Sequence, residues 1–250
     1  MVKHADTLLV SREGPIATLR INRPEQGNAV DDPTMDRLIA ALEELSTAEG
    51  LRIIQVRGEG QDFCSGRHAP SSLRSAPAGA IARNLAKIIR VNALLARQSA
   101  VTVAVVRGRA LGFGCGLAAQ CDLTLAALDA RFAFPEIRGG LPPAIVLSWL
   151  PRWVPRKKAL ELAMTAREMD ASEASSLGLV NQVCQPAELE AEVGRWCDLV
   201  LGIDATALTT CKRFIMTTEG MSREQAAELA VQTLATLLSD QFAAQKGATP

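Results

Sequence analysis

Glu136 stands in the stretch Phe132-Ala133-Phe134-Pro135-Glu136-Ile137, a carboxylate among apolar neighbours. A carboxylate kept from water favours its neutral form, so its pKa rises and it can take and return a proton near neutrality. The same local sequence also lets Glu136 open a helix on the surface, and both placements stay open at this point. Two glycine-bearing segments offer complementary chemistry. Phe63-Cys64-Ser65-Gly66-Arg67-His68 and Leu111-Gly112-Phe113-Gly114-Cys115-Gly116-Leu117 each follow a β-favouring run, and glycine, lacking a Cβ, lets a backbone approach a ligand closely. The second segment is read as opening a helix. Its unpaired first-turn amides and the positive end of the helix dipole would then converge where a developing negative charge is stabilised. Glycines at a strand-to-helix turn serve tight packing equally well, so one such loop does not make a site.

Several other chemistries fit poorly. His4 and His68 are the only histidines and there is no tyrosine, which excludes tyrosine acid catalysis and argues against a His-ligated metal cluster. The cysteines at 64, 115, 121, 184, 197 and 211 show neither a C-x-x-C pair nor zinc spacing, and read as reduced, buried thiols of a cytosolic protein. Gly112, Gly114 and Gly116, with Asp129 as a ribose ligand, make a poor dinucleotide fingerprint, because the third glycine comes early and the loop lies mid-chain. Twenty-seven Lys and Arg balance twenty-seven Asp and Glu, so no global field draws in nucleic acid or anionic lipid. Thr7–Val10 is followed at once by Ser11-Arg12-Glu13, and other apolar runs are of strand length. Neither a signal peptide nor a membrane span is expected, and the expected location is cytoplasmic.

The elements that must position these groups are legible in outline. With 250 residues, 48% hydrophobic and 22% charged, the chain is expected to form one core domain, 1–202, with a helical C-terminal region, 203–250. Thr7–Val10 and Ile16–Ile21 read as strands joined through residues 11–15. Asp31 or Asp32 caps a helix with Pro33 in its first turn and Met35, Leu38, Ile39, Leu42 and Leu45 on its apolar face. Strands at 52–56, 101–106 and 123–126, a long loop at 61–77 and a helix at 78–98 follow. This alternation predicts a layered α/β core with right-handed crossovers. From Ala144 the pattern is helical, interrupted by one strand at 179–184, with Pro186 starting the next helix; 205–217 and 222–239 form the C-terminal helices.

Together these pieces resemble the enoyl-CoA hydratase/isomerase, or crotonase, family from about residue 7 to the C-terminus. The marks are Ile21-Asn22-Arg23-Pro24-Glu25 with Asn28-Ala29, Phe63-Cys64-Ser65-Gly66, Ala110–Cys115 with Cys121-Asp122-Leu123, and Phe134-Pro135-Glu136. The resemblance implies an α/β crotonase-like spiral of β-β-α units followed by a helical trimerisation region, assembled as a homotrimer or homohexamer. It implies an acyl-CoA thioester as substrate, with CoA part of that substrate and no separate cofactor. The thioester carbonyl would accept the backbone N–H groups of Arg67 and Phe113, and Glu136 would move the proton. Gly66, His68, Ala69, Pro70, Gly112, Gly114 and Gly116 would line the substrate site, Leu73, Leu141 and Trp149 the acyl pocket, and Arg67 or Lys246 would meet a CoA phosphate.

The departures from the family pattern bear on the reaction. Family hydratases hold water between two glutamates; here Glu136 matches the second, but Gly116 occupies the place of the first. Ala144 stands where a glycine helps hold that water, and His68 replaces a frequent aspartate. One carboxylate suffices for a double-bond shift, so isomerisation of an enoyl-CoA is the leading expectation. A hydratase or lyase with non-standard water activation is the alternative, and a catalytically silent acyl-CoA-binding protein is the alternative of another class.

Overall fold

Ile53-Ile54-Gln55-Val56 and Val101–Val106 are nearly unbroken apolar runs, the pattern of parallel strands covered on both faces. In the computed structural model, which describes residues 6–68 and 70–247, both lie in the middle of a six-stranded sheet. The chain opens with β1 (Leu8–Glu13) and β2 (Ile16–Ile21), paired antiparallel from Leu8 with Ile21 to Glu13 with Ile16. Residues 11–13, expected in the turn, prolong the strand: β1 is an edge strand whose exposed positions accept polar side chains, so the connection shrinks to Gly14-Pro15.

Helix α1 (Asp32–Leu45) begins where Asp31 accepts the Thr34 N–H at 3.0 Å, with Pro33 in its first turn, an N-cap that satisfies an otherwise orphaned donor. Met35, Leu38 and Leu42 are fully buried beneath it. There follow β3 (Ile53–Gly58), α2 (Ala78–Arg97), β4 (Val101–Val106), β5 (Arg109–Leu111), α3 (Phe113–Gln120), β6 (Leu123–Ala127) and β7 (Arg131–Ala133). Then come α4 (Ala144–Leu147), α5 (Leu150–Trp153), α6 (Arg156–Thr165), β8 (Met169–Asp170), α7 (Ala171–Ser176), β9 (Gln182–Cys184) and α8 (Leu189–Leu201). The main sheet runs β1-β2-β3-β4-β6-β9, parallel from β2 onward, and β5-β7-β8 form a second, three-stranded sheet.

That second sheet is absent from the sequence-based expectation because its strands are two or three residues long, too short for any periodicity to show. Two later boundaries also move. The Leu179 N–H closes the end of α7 on Ala174 at 2.9 Å, which delays β9 to Gln182, and a turn in which the Glu188 N–H donates to Gln185 delays α8 to Leu189.

Successive turns of chain stack as a spiral. β3, β4 and β6 lie side by side in the large sheet, while Cys64, β5 and β7 lie side by side in the second layer through a parallel bridge from Cys64 to Ala110 and the pairing of Ala110 with Phe132. A parallel bridge from Val30 to Arg67 joins the first turn to this layer. The chain divides into two units, Met1–Asp204 and Ala205–Pro250. The second contains α9 (Ala205–Thr218) and α10 (Arg223–Gly247), on which Ile215, Val231, Leu234 and Phe242 are exposed. Among the described residues no helix is long and apolar enough to cross a membrane. All six cysteines are free; Cys211 is exposed and the other five are buried.

Candidate active site

The loop after β3 is laced on both sides. On one side, Phe63 and Cys64 donate their N–H groups to Arg107 and Arg109 at 2.9 and 3.0 Å, and Leu111 donates back to the Cys64 carbonyl at 2.9 Å. Asp62 fixes the same edge by accepting the Arg109 N–H at 2.9 Å and its guanidinium at 2.7 Å, contacts that hold the Asp62 carboxyl below the usual carboxylate range. On the other side, the Val30 N–H donates to Gly66 and the His68 N–H donates to Val30, at 2.9 and 2.8 Å. In a parallel ladder a residue bonds to both flanking positions of its partner, so Arg67 turns its own N–H away from Val30. Among the described residues, that N–H donates to no protein acceptor.

The second loop leaves β5 through Gly112, whose φ of +51° is a left-handed conformation that a Cβ would strain. The Gly112 N–H is taken by the Ala133 carbonyl at 2.8 Å. Phe113 is the first residue of α3, where a backbone N–H has no intrahelical acceptor; among the described residues it meets no other backbone acceptor. The two loops are in close contact: a Cβ on Gly66 would lie 3.3 Å from the Leu111 carbonyl oxygen, and one on Gly114 only 2.2 Å from the Cys64 carbonyl oxygen.

Glu136 enters from a third direction. It lies in a single 3-10 turn, Pro135–Gly139, that follows β7. Phe134, fully buried, meets Trp149 edge to face at 6.3 Å behind it. The carboxylate is half-buried beside Gly112, its Oε1 3.0 Å from where a Gly112 Cβ would stand, and its Oε2 is buried without a protein hydrogen-bond partner. Burial raises the Glu136 pKa, opposed in part by its own backbone N–H. Two thiols flank the site without becoming nucleophiles. Burial pushes Cys64 up to about 12, and burial together with the Glu136 charge raises Cys115.

These pieces face one cavity of about 510 Å³. Gly66, Arg67, Gly112, Phe113, Gly116 and Glu136 all line it, as do Leu141, Ala144 and Trp149. Gly114, His68, Pro70 and Leu73 do not. Gly114 lies behind the wall against Cys64, and His68 is exposed. Ala69 lies outside the described residues, as does the Lys246 side chain. The expectation that the Arg67 guanidinium meets a phosphate is corrected: it is committed to Asp32, Asn84 and the Val30 carbonyl. Asn92 also lines the cavity with Leu85 and Ile88 and was missed by the sequence reading. Its signal was a polar residue interrupting the apolar face of α2 at the 85, 88, 92 spacing, which has meaning only once that face is known to border a cavity.

A carboxyl with a raised folded-state pKa contributes stability that is full below its unfolded value, near 4.5, and is lost as pH rises through the folded value. Glutamine does not titrate. The melting temperature of Glu136→Gln relative to the native chain should therefore shift in the variant's favour as pH is raised from about 4 to about 8, a trend that differential scanning calorimetry measures directly.

Comparison with known proteins agrees with this architecture. Residues 11–249 match the family described as enoyl-CoA hydratase/isomerase. A crotonyl-CoA hydratase of Syntrophomonas wolfei is 30% identical over 214 residues, which cover 83% of this chain and 80% of that one. The crystal structure of an enoyl-CoA hydratase from Mycobacterium smegmatis superposes with a TM-score of 0.90 at 30% identity, covering 94% of this chain and 92% of that one. A structure from Thermobifida fusca YX, solved in complex with CoA, gives a TM-score of 0.85 at 26% identity over 94% of each chain. With the spiral fold, the paired glycine loops and the half-buried glutamate at one cavity, the chain belongs to the enoyl-CoA hydratase/isomerase family.

Proposed function

We propose that this chain binds an acyl-CoA thioester and shifts its double bond, with Glu136 as the single proton shuttle. One observation carries the reading: Glu136 is the only carboxylate among the described residues lining the cavity, and one of its oxygens is buried without a protein partner. Its neighbour across the wall, Gly116, carries no side chain; a Cβ there would meet only Trp149, at 3.9 Å.

In this reading the thioester carbonyl accepts the N–H groups of Arg67 and Phe113. Glu136 takes a proton from C2 of a 3-enoyl thioester, and the C–H electron pair moves into the carbonyl, giving an enolate whose charge the two N–H groups offset. The same carboxyl then returns its proton to C4, the electrons flow back, and the double bond comes to rest between C2 and C3. Two such donors, aimed before the charge appears, supply the largest share of the stabilisation. CoA is part of the substrate and no further cofactor is invoked. The exposed apolar side chains on α9 and α10 support assembly as a homotrimer or homohexamer.

The hydratase names of the relatives favour a second reading, in which Glu136 serves water addition and the Asn92 amide, also at the cavity wall, holds the water. Assays of 3-enoyl-CoA and 2-enoyl-CoA side by side separate the two. Isomerisation should exceed hydration by about tenfold or more in kcat/KM. Faster formation of the 3-hydroxyacyl product would favour the hydratase, and tight thioester binding without turnover of either substrate would leave a binding protein.

A further inference from the structure

Arg67 presents two faces to the protein. Arg67 lines the cavity, and its main-chain N–H faces away from Val30, while its side chain, 11% exposed, is held by a set of protein partners. Nη1 donates to the Val30 carbonyl at 3.0 Å; Nη2 donates to Asn84 Oδ1 at 3.0 Å and to the Asp32 carboxylate. The Asn84 amide then donates to both Asp32 oxygens, at 2.7 and 2.8 Å. Every member is thereby engaged by the other two. Asn84, 8% exposed, interrupts the buried face of α2, and Asp32 stands in the first turn of α1, where the helix dipole favours a negative charge. Burial alone would raise the Asp32 pKa; hydrogen bonds from Arg67 and Asn84 outweigh it and hold the carboxyl below its usual range.

A hydrogen-bond donor stabilises developing charge only if its direction is set beforehand. Arg67 follows Gly66, at φ +121°, a residue whose backbone resists rotation weakly. The Val30 ladder restrains residues 66 and 68, and the guanidinium cluster restrains residue 67 itself, binding the site loop to both α1 and α2. We infer that Asp32 and Asn84 are positioning residues which, through the Arg67 side chain, aim the Arg67 main-chain N–H at the thioester oxygen. This rests on the assignment of that N–H to the substrate carbonyl made above.

The test compares Asn84→Ala, Arg67→Met and their double variant with Glu136→Gln, on whichever enoyl-CoA the native chain turns over. Each clamp variant should lose about tenfold in kcat with KM within about twofold, the pattern of an interaction made in the transition state. The double variant should be no worse than the poorer single one, since both break the same cluster. The carbonyl stretch of a bound, carbon-13-labelled thioester should move back toward its value in water. Asp32→Asn keeps size and shape, and serves if Asn84→Ala fails to fold. Unchanged kcat, a change confined to KM, or losses that multiply in the double variant overturn the clamp while Glu136→Gln remains inactive. A thioester carbonyl stretch in the native complex no lower than its value in water instead overturns the underlying assignment of the Arg67 N–H, and the clamp with it.

Discussion

Glu136→Gln lowers kcat by about 10³-fold while changing acyl-CoA affinity by less than about threefold, within the 10² to 10⁴ range of a positioned acid–base group. The substitution preserves the shape of the side chain and removes only its ability to exchange a proton. Affinity is expected to survive because most of the cavity lining is apolar or glycine, with Phe113, Leu141 and Trp149 among it. The flanking thiols cannot substitute, since Cys64 and Cys115 are both held protonated by burial. Steady-state turnover of the 3-enoyl and 2-enoyl thioesters, with calorimetric titration of a non-reactive acyl-CoA, measures both quantities. Turnover within threefold of native would remove Glu136 from the chemistry.

Gly114→Ala has a large expected structural effect at the site itself. The added carbon would stand 2.2 Å from the Cys64 carbonyl oxygen and 2.8 Å from its Cβ, far inside van der Waals contact. That oxygen cannot retreat freely, because it accepts the Leu111 N–H at 2.9 Å in the bridge that joins the two loops. Overpacking against backbone should cost about 3 kcal/mol or more. Any relief spreads the loops that carry the Arg67 and Phe113 amides, and losing alignment of one donor costs about 10² in kcat. Gly116→Ala, two residues on, is the control: its Cβ reaches only Trp149 at 3.9 Å, and alanine in a helix gains up to about 1 kcal/mol over glycine. Thermal melts and kcat for the pair decide the matter; a native melting temperature in Gly114→Ala would contradict the packing described.

What could be read before folding divides along a physical line. Features that depend on neighbours in sequence were legible: a cap at Asp31 or Asp32 with Pro33, the buried stripe of α1, and the apolar runs of β3 and β4, while the placement of Glu136 stayed open between the interior and the surface. Features decided by distant partners were not. The Arg67 guanidinium looked free to meet a phosphate, yet it is bound to Asp32, 35 residues earlier, and Asn84, 17 later. No local pattern announces such a choice. Asn92 gains a role only when the curvature of the chain lays that part of α2 along the cavity. The β5-β7-β8 sheet escaped because pairing, and not propensity, makes strands so short.

The parallel arrangement has a last consequence, for how this chain can change. The segments carrying Arg67, Phe113 and Glu136 follow the carboxyl ends of β3 in the large sheet and of β5 and β7 in the second, the ends from which ligand-binding segments of open α/β sheets commonly leave. The Gly14-Pro15 connection and residues 46–52 lie instead at the amino ends of the parallel strands β2 and β3, and nothing lies within 4 Å of a Cβ placed on Gly14. Insertions, grafted epitopes and fused reporters are best accommodated there, leaving selection free to remodel that side without touching the reaction.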